Sequence, residues 1–397
     1  MRILKRIVLI LGVIVGIAVL AAIVSGKSYL LSGVRKTYLV GEKTPDIDDM
    51  KYFDVRKIAH GTPVQPLFYS NYRGVLYPPT YDVFANEMDN SAFLVFWRDS
   101  LVFEHYWEGD TSTLTNSFSM AKSFTSMMIG AAIDDGLIRN VDQPVGDFLP
   151  EYAEGLNGNL TIRHLLQMTS GIPFGESYSS PFGYMAEAYF GHDLQPLTTA
   201  FKVEKEPGTQ WAYEGGNTVL LGLIIQKATG KSPSAYFEEK FWSRLGTSHD
   251  AYWNLDHEDG LEKTFSGFYA TARDFSRIGT LFMHNGVYQG DTLLSPDFIK
   301  QSITPHLVPD DKGEACGWYG WQWWMGEHHG YDMYMCRGLR GQYIICIPEA
   351  EVMVVRIGHK QSKDRLNHLP EDIYTHVDIA LDILKQQTGI SFYEEGY

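Results

Sequence analysis

Strand signals stand at both ends of this chain and helical signals lie between them. That ordering limits the fold more than any other feature. Phe93 to Trp107 reads as a hairpin, with the runs Phe93-Leu94-Val95-Phe96-Trp97 and Leu101-Val102-Phe103 flanking an Arg98-Asp99-Ser100 turn. In the last third, Trp318 to Trp324 is dense in aromatics, Tyr343 to Ile347 is short and apolar, and Glu351 to Ile357 is rich in valine. Between these, Ser119 to Asp135 reads as a helix rich in Met, Ala and Ile that stops at Gly136. Thr218 to Ile225 reads as a buried helix ending near Gly230. A closing helix, about Pro370 to Gln387, places Ile373, Val377, Ala380, Leu381 and Leu384 on one face, with Pro370 at its start and Gly389 just past its end. The early and late strands must then meet in one sheet, with the middle, about 137–260, forming a helical lobe. This is an α+β fold.

The 397 residues suffice for one large domain or two ordinary ones. A hydrophobic share of 44% with 14% aromatics excludes general disorder. The net charge is −15, although every formal charge in residues 1–27 is positive. A body that acidic, with no basic stripe, excludes nucleic acid as a partner, because phosphate contacts need a basic surface.

Ile7 to Val24 is an apolar run preceded by the cations Arg2, Lys5 and Arg6. A helix crosses a bilayer with about 17–25 apolar residues, whereas signal-peptide cores run to about 7–15. Residues 1–27 therefore read as an uncleaved signal anchor, a single-pass membrane helix with the body exported. The alternative is secretion after cleavage near Val24-Ser25-Gly26, where no Ala-x-Ala site stands. Residues 28–85 read as a linker and lead-in, and residues 86–397 as the functional domain. Cys316, Cys336 and Cys346 are too few for a disulfide framework and leave one bridge open. No Cys/His spacing resembles a zinc module, and His257 and His328-His329 read as surface or loop residues.

Ser119-Met120-Ala121-Lys122 carries the chemistry, and no other Ser-x-x-Lys occurs in the chain. At this spacing on a helix the two side chains share a face. A serine in the first turn also feels the positive end of the helix, which favours a developing oxyanion. A lysine amine held against a serine hydroxyl can take its proton if burial lowers the amine's pKa. The Gly-x-Ser-x-Gly of an α/β-hydrolase is absent.

In this context the chain resembles the serine β-lactamase and penicillin-binding-protein superfamily. The closer likeness is to its class C-like branch of esterases, D-amino-peptidases and 6-aminohexanoate-dimer hydrolases. The resemblance runs from about residue 90 to 358. It rests on the Ser119–Lys122 motif, on Asp142-Gln143-Pro144-Val145 with Phe148-Leu149-Pro150, and on Leu160 to Leu166 continuing to Thr169-Ser170-Gly171. Pro207-Gly208, Tyr213, Asn217, Leu221-Gly222, Gly230-Lys231, Ala270 to Asp274 and Gly320 to Trp324 follow in the family's order. The resemblance implies a β-lactamase/transpeptidase-like fold: an antiparallel sheet flanked by N- and C-terminal helices, plus a mostly helical lobe. It implies hydrolysis of a small ester, amide or peptide-like substrate through an acyl-enzyme, with no metal or organic cofactor. Ser119 would be the nucleophile, Lys122 the general base and Tyr213 the acid/base relay. The backbone N–H groups of Ser119 and Leu339 would form the oxyanion hole. The natural setting would be a bacterial cytoplasmic membrane with the catalytic body in the periplasm.

Two motifs depart from the family's pattern. Tyr-x-Asn is replaced by Tyr213-Glu214-Gly215, with Asn217 two residues further on. The Lys-or-His cation before x-Gly is replaced by Cys336-Arg337-Gly338, where Arg337 or Arg340 could supply charge from another angle. Both departures weaken a true β-lactamase or DD-peptidase reading, since those substrates carry a carboxylate for such a cation to grip. They also leave room for a catalytically inert cell-envelope binding protein of the same fold. Asn217, Trp211, Trp323, Arg337 and Gly338 are candidate substrate contacts, with Trp211, Tyr319, Trp321 and Trp323 as walls of an apolar acyl cleft.

Overall fold

A computed structural model describes residues 1–69 and 76–393. Residues 70–75 of the lead-in and 394–397 of the predicted domain lie outside that set. The hairpin forms as its sequence suggests, from Asn90–Trp97 and Ser100–Tyr106. Its two turn residues, Arg98 and Asp99, have φ of 49° and 61°, the left-handed pair whose twist suits a two-residue hairpin. The Arg98 N–H donates to the Glu351 carbonyl at 3.0 Å, tying the turn to the start of a late strand.

That late strand, Val352–Gly358, lies antiparallel to Asn90–Trp97, with Val354 opposite Val95. The early and late strands thus meet at the centre of one seven-stranded sheet. From edge to edge its strands are Trp324–His328, Tyr331–Gly338, Gln342–Ile347, Val352–Gly358, Asn90–Trp97, Ser100–Tyr106 and Leu67–Phe68. Only the last pairing is parallel. Alternate side chains of Asn90–Trp97 serve two cores. Leu94 and Phe96 join the core built by the helices Met120–Asp134 and Ala272–Met283. Phe93, Val95 and Trp97 join the core under the closing helix Asp372–Thr388. That helix and Gly215–Thr229 both end on left-handed glycines, Gly389 and Gly230. This is the β-lactamase/transpeptidase-like arrangement the resemblance implies.

Two expectations are corrected. The aromatic run Trp318 to Trp324 is not a strand, and its strand begins only at Trp324. Gln322 sits in the left-handed region at φ 66°. Its buried side chain donates to the Leu165 and Leu166 carbonyls at 3.0 and 3.1 Å and accepts from Thr218 Oγ1 at 2.8 Å. The run is a buried connector between sheet and lobe. Nor do residues 28–58 form a free linker. Val55–Ile58 pairs with Ala251–Asn254 in a second, four-stranded sheet completed by Phe268–Ala270 and Thr115–Asn116. Asp46 binds Arg340 Nη1 at 2.6 Å and His359 Nδ1 at 2.7 Å. Its hydrogen bond, joined by one from Glu108, raises the His359 imidazole to about 9.

The helix Arg2–Val24 has no buried residue and is long and apolar enough to cross a membrane. The three cysteines are buried and unpaired. His328 and His329 both place Nε2 2.7 Å from Asp378 on the closing helix.

Candidate active site

The turn that leads into Ser119 is built by Asn116, the last residue of its short strand. Its Oδ1 accepts the Phe118 N–H at 2.8 Å. Its Nδ2 meets Asp49, Tyr189 and Tyr269 at 3.2 to 3.3 Å. Burial pushes the Asp49 carboxyl up to about 6. Held this way, Phe118 adopts φ 45°, a left-handed conformation that costs a non-glycine residue about 1–3 kcal/mol. The turn delivers Ser119 to the N-cap of Met120–Asp134, and its hydroxyl caps no backbone group there.

One helical turn on, Lys122 is 1% exposed. Its Nζ donates to Ser119 Oγ at 3.0 Å and to the Phe265 carbonyl at 3.0 Å. Both acceptors are neutral, and among the described residues no carboxylate forms an ion pair with this side chain. The same Nζ lies 5.0 Å from the centre of the Tyr213 ring. Tyr213 is half-buried and packs on Trp324 and Tyr319, with ring centres 5.3 and 6.0 Å apart.

The strand Tyr331–Gly338 ends against the turn that leads into Ser119. A Cβ on Gly338 would stand 2.2 Å from the Ser117 carbonyl oxygen, so only glycine permits this approach. It brings Leu339 and Ser119 to one cleft of about 330 Å³. Among the described residues neither of their N–H groups has a hydrogen-bond partner. Other walls of the cleft are Tyr29, Val34 and Tyr38 from the lead-in and Tyr178, Met185 and Phe190 from the lobe.

The other candidate contacts lie elsewhere. Trp323 is fully buried, its ring centre 3.9 Å from that of Phe282. Trp321 packs on Phe298, Tyr319 is fully buried, and Trp211 sits against Trp318. The expected aromatic wall is therefore core, because these rings fill the space between sheet and lobe. Asn217 is buried with Nδ2 3.4 Å from Met168 Sδ, so its amide does not reach Lys122. Arg337 stacks 3.7 Å over Trp324 and does not line the cleft, and Arg340 is occupied by Asp46. Sequence reasoning missed the lead-in wall. Tyr29, Leu30, Gly33 and Val34 do recur at helical spacing in the short helix Tyr29–Lys36, and that was the available signal. Nothing in the sequence pointed to the Phe265 carbonyl.

Glu214 fills the middle of the altered tyrosine motif. Its carboxyl accepts the N–H groups of Gly175 and Glu176, while Glu176 Oε2 accepts the Gly215 N–H at 2.6 Å. Burial, then the nearby Glu176 charge, pushes Glu214 up to about 8. A carboxyl raised in the fold contributes stability that is complete below its unfolded value and lost as pH rises through the folded one. The melting temperature is therefore expected to fall by about a few degrees as pH rises from about 4.5, the ordinary value, to about 8. Glu214→Gln should flatten that slope. An unchanged slope in the variant, read by circular dichroism melts, would refute the assignment.

The model of the Beta-lactamase family matches residues 82–373. The 6-aminohexanoate-dimer hydrolase of Paenarthrobacter ureafaciens is 26% identical over 326 residues, covering 77% of this chain and 82% of that protein. A solved structure described as "Putative 6-aminohexanoate-dimer hydrolase from Bacillus anthracis" superposes with a TM-score of 0.72 at 21% identity, covering 87% of this chain and 94% of the other. A family VIII carboxylesterase superposes at 0.61 and 17% identity, covering 80% and 99%. The chain belongs to the Beta-lactamase family of hydrolases.

Proposed function

We propose that this protein hydrolyses ester or amide bonds through an acyl-enzyme on Ser119. The observation that carries this reading is the 3.0 Å contact between Lys122 Nζ and Ser119 Oγ, made by a buried amine on neutral acceptors at a helix start. Ser119 Oγ attacks the acyl carbon while its proton passes to Lys122. Tyr213, beside that amine, relays a proton to the leaving oxygen or nitrogen as the scissile bond breaks. Water then attacks the acyl–Oγ ester, its proton returns to Ser119 through the same pair, and the free acid leaves. The N–H groups of Ser119 and Leu339 receive the oxyanion, each worth about 3 kcal/mol. Residues 1–27 anchor the chain in a cytoplasmic membrane with the domain 86–397 outside it, and the lead-in completes that domain's cleft. The exposed apolar helix and the preceding Arg2, Lys5 and Arg6 support this placement.

A fluorophosphonate probe should add once, at Ser119, as read by intact mass and peptide mapping. A folded protein that takes no label would instead favour an inert binding protein, the reading that the altered Tyr213–Gly215 and Cys336–Gly338 motifs support. Rapid nitrocefin turnover would favour a true β-lactamase.

A further inference from the structure

One wall of the cleft comes from outside the hydrolase domain. Tyr29, Leu30, Val34 and Tyr38 line it, and the apolar helix that precedes them ends at Val24. Five residues span at most about 18 Å, so Tyr29 stays within that reach of the helix end. The rims of the cleft are apolar and open to solvent. On the lead-in side the lining residues Val34 and Tyr38 are 43% and 65% exposed, and on the lobe side Tyr178 is 57% exposed. Leu39 and Phe182, 74% and 64% exposed, directly follow the lining residues Tyr38 and Pro181. Single exposed apolar residues are ordinary on any surface. Here they gather at both walls of one cleft, next to a membrane-length helix. Lys27 Nζ lies 5.0 Å from the Phe182 ring centre, which joins the two walls at the end nearest that helix. This stretch also reverses the protein's charge. Lys27, Arg35, Lys36 and Lys43 stand against Glu42 alone, in a chain of net charge −15. Cations set beside rings and exposed aliphatic groups suit the headgroup level of a bilayer that carries anionic lipid.

We propose that the cleft opens at the bilayer surface and takes the long apolar acyl chain of a membrane-borne ester or amide, which enters from the lipid rather than from water. This rests on the serine-hydrolase reading above. The acyl–oxygen or acyl–nitrogen bond breaks. Water supplies hydroxyl to the acyl carbon and a proton to the leaving group, and no further reactant is needed. The cleft of about 330 Å³ is lined mainly by rings and aliphatic groups, which suits the acyl end of such a substrate.

The test uses the full-length protein reconstituted in phosphatidylcholine vesicles with and without phosphatidylglycerol. Turnover of vesicle-embedded p-nitrophenyl palmitate is compared with that of soluble p-nitrophenyl butyrate. Palmitate should be the better substrate by kcat/KM, more so with the anionic lipid. Its advantage should fall about tenfold or more in Leu39→Glu and Phe182→Glu, which a loss of roughly 1.4 kcal/mol of apolar contact would produce. Both side chains are exposed, so melts should confirm intact folding. Hydrolysis of butyrate with no palmitate advantage, or an advantage untouched by both variants, overturns the membrane substrate and leaves the hydrolase intact. Failure on both esters overturns the hydrolase reading itself. A stable dimer that both variants dissociate would assign the rim to a second copy of the chain and also overturn the proposal.

Discussion

Ser119→Ala and Lys122→Ala are each expected to lower hydrolysis of short p-nitrophenyl esters by about 10⁴-fold or more, because a nucleophile and its base act as one unit. The two losses should not add. Lys122→Ala also strips the buried Phe265 carbonyl of its donor, an unmet hydrogen bond that costs about 1–3 kcal/mol. Lys122→Met, which keeps the apolar stem, separates lost chemistry from lost folding, and melting curves report the difference. Ser117→Ala is the control. Its hydroxyl donates only to the Phe118 carbonyl at 3.1 Å, and activity should stay within a few-fold of the parent. A Lys122→Ala protein with the parent rate would end the proposed mechanism.

The second large effect is expected from Gly338→Ala. The new methyl carbon would lie 2.2 Å from the Ser117 carbonyl oxygen, a separation that forces the strand off the turn that leads into Ser119. Leu339 would move with the strand, and its N–H would leave the position proposed for the oxyanion. Losing one such donor costs about 10² to 10³ in kcat. A contact made only in the transition state lowers kcat and kcat/KM together, so KM should hold steady. An unchanged kcat in a protein of parental stability would remove Leu339 from the oxyanion hole. The backbone at Gly338 does not require left-handed φ, so steric contact alone carries this effect.

Local chemistry was legible and distant packing was not. The hairpin, the nucleophile helix and the glycine stops at Gly230 and Gly389 are written in a few adjacent residues. So is the Ser119–Lys122 spacing. Trp318 to Trp324 was misread because aromatic density looks the same in a strand and in a packed connector. Only the Gln322 side chain, bonded to a helix end more than 150 positions away, decides between them. Phe118 carries no glycine or asparagine to announce its positive φ. The lead-in had no strand periodicity to reveal that Val55–Ile58 would pair with Ala251–Asn254. Asp46 finds its partners, Arg340 and His359, about 300 positions away, which no local pattern announces.

The central pairing of Asn90–Trp97 with Val352–Gly358 sets the order of events in biosynthesis. Phe93 to Trp97 leaves the ribosome long before the strand that covers it exists. A growing chain therefore carries an unpaired, fully apolar edge through most of translation. Pairing this distant in sequence raises contact order and is expected to slow folding, whose completion waits for the C-terminal third. Truncations upstream of Val352 should yield aggregates rather than a smaller folded enzyme.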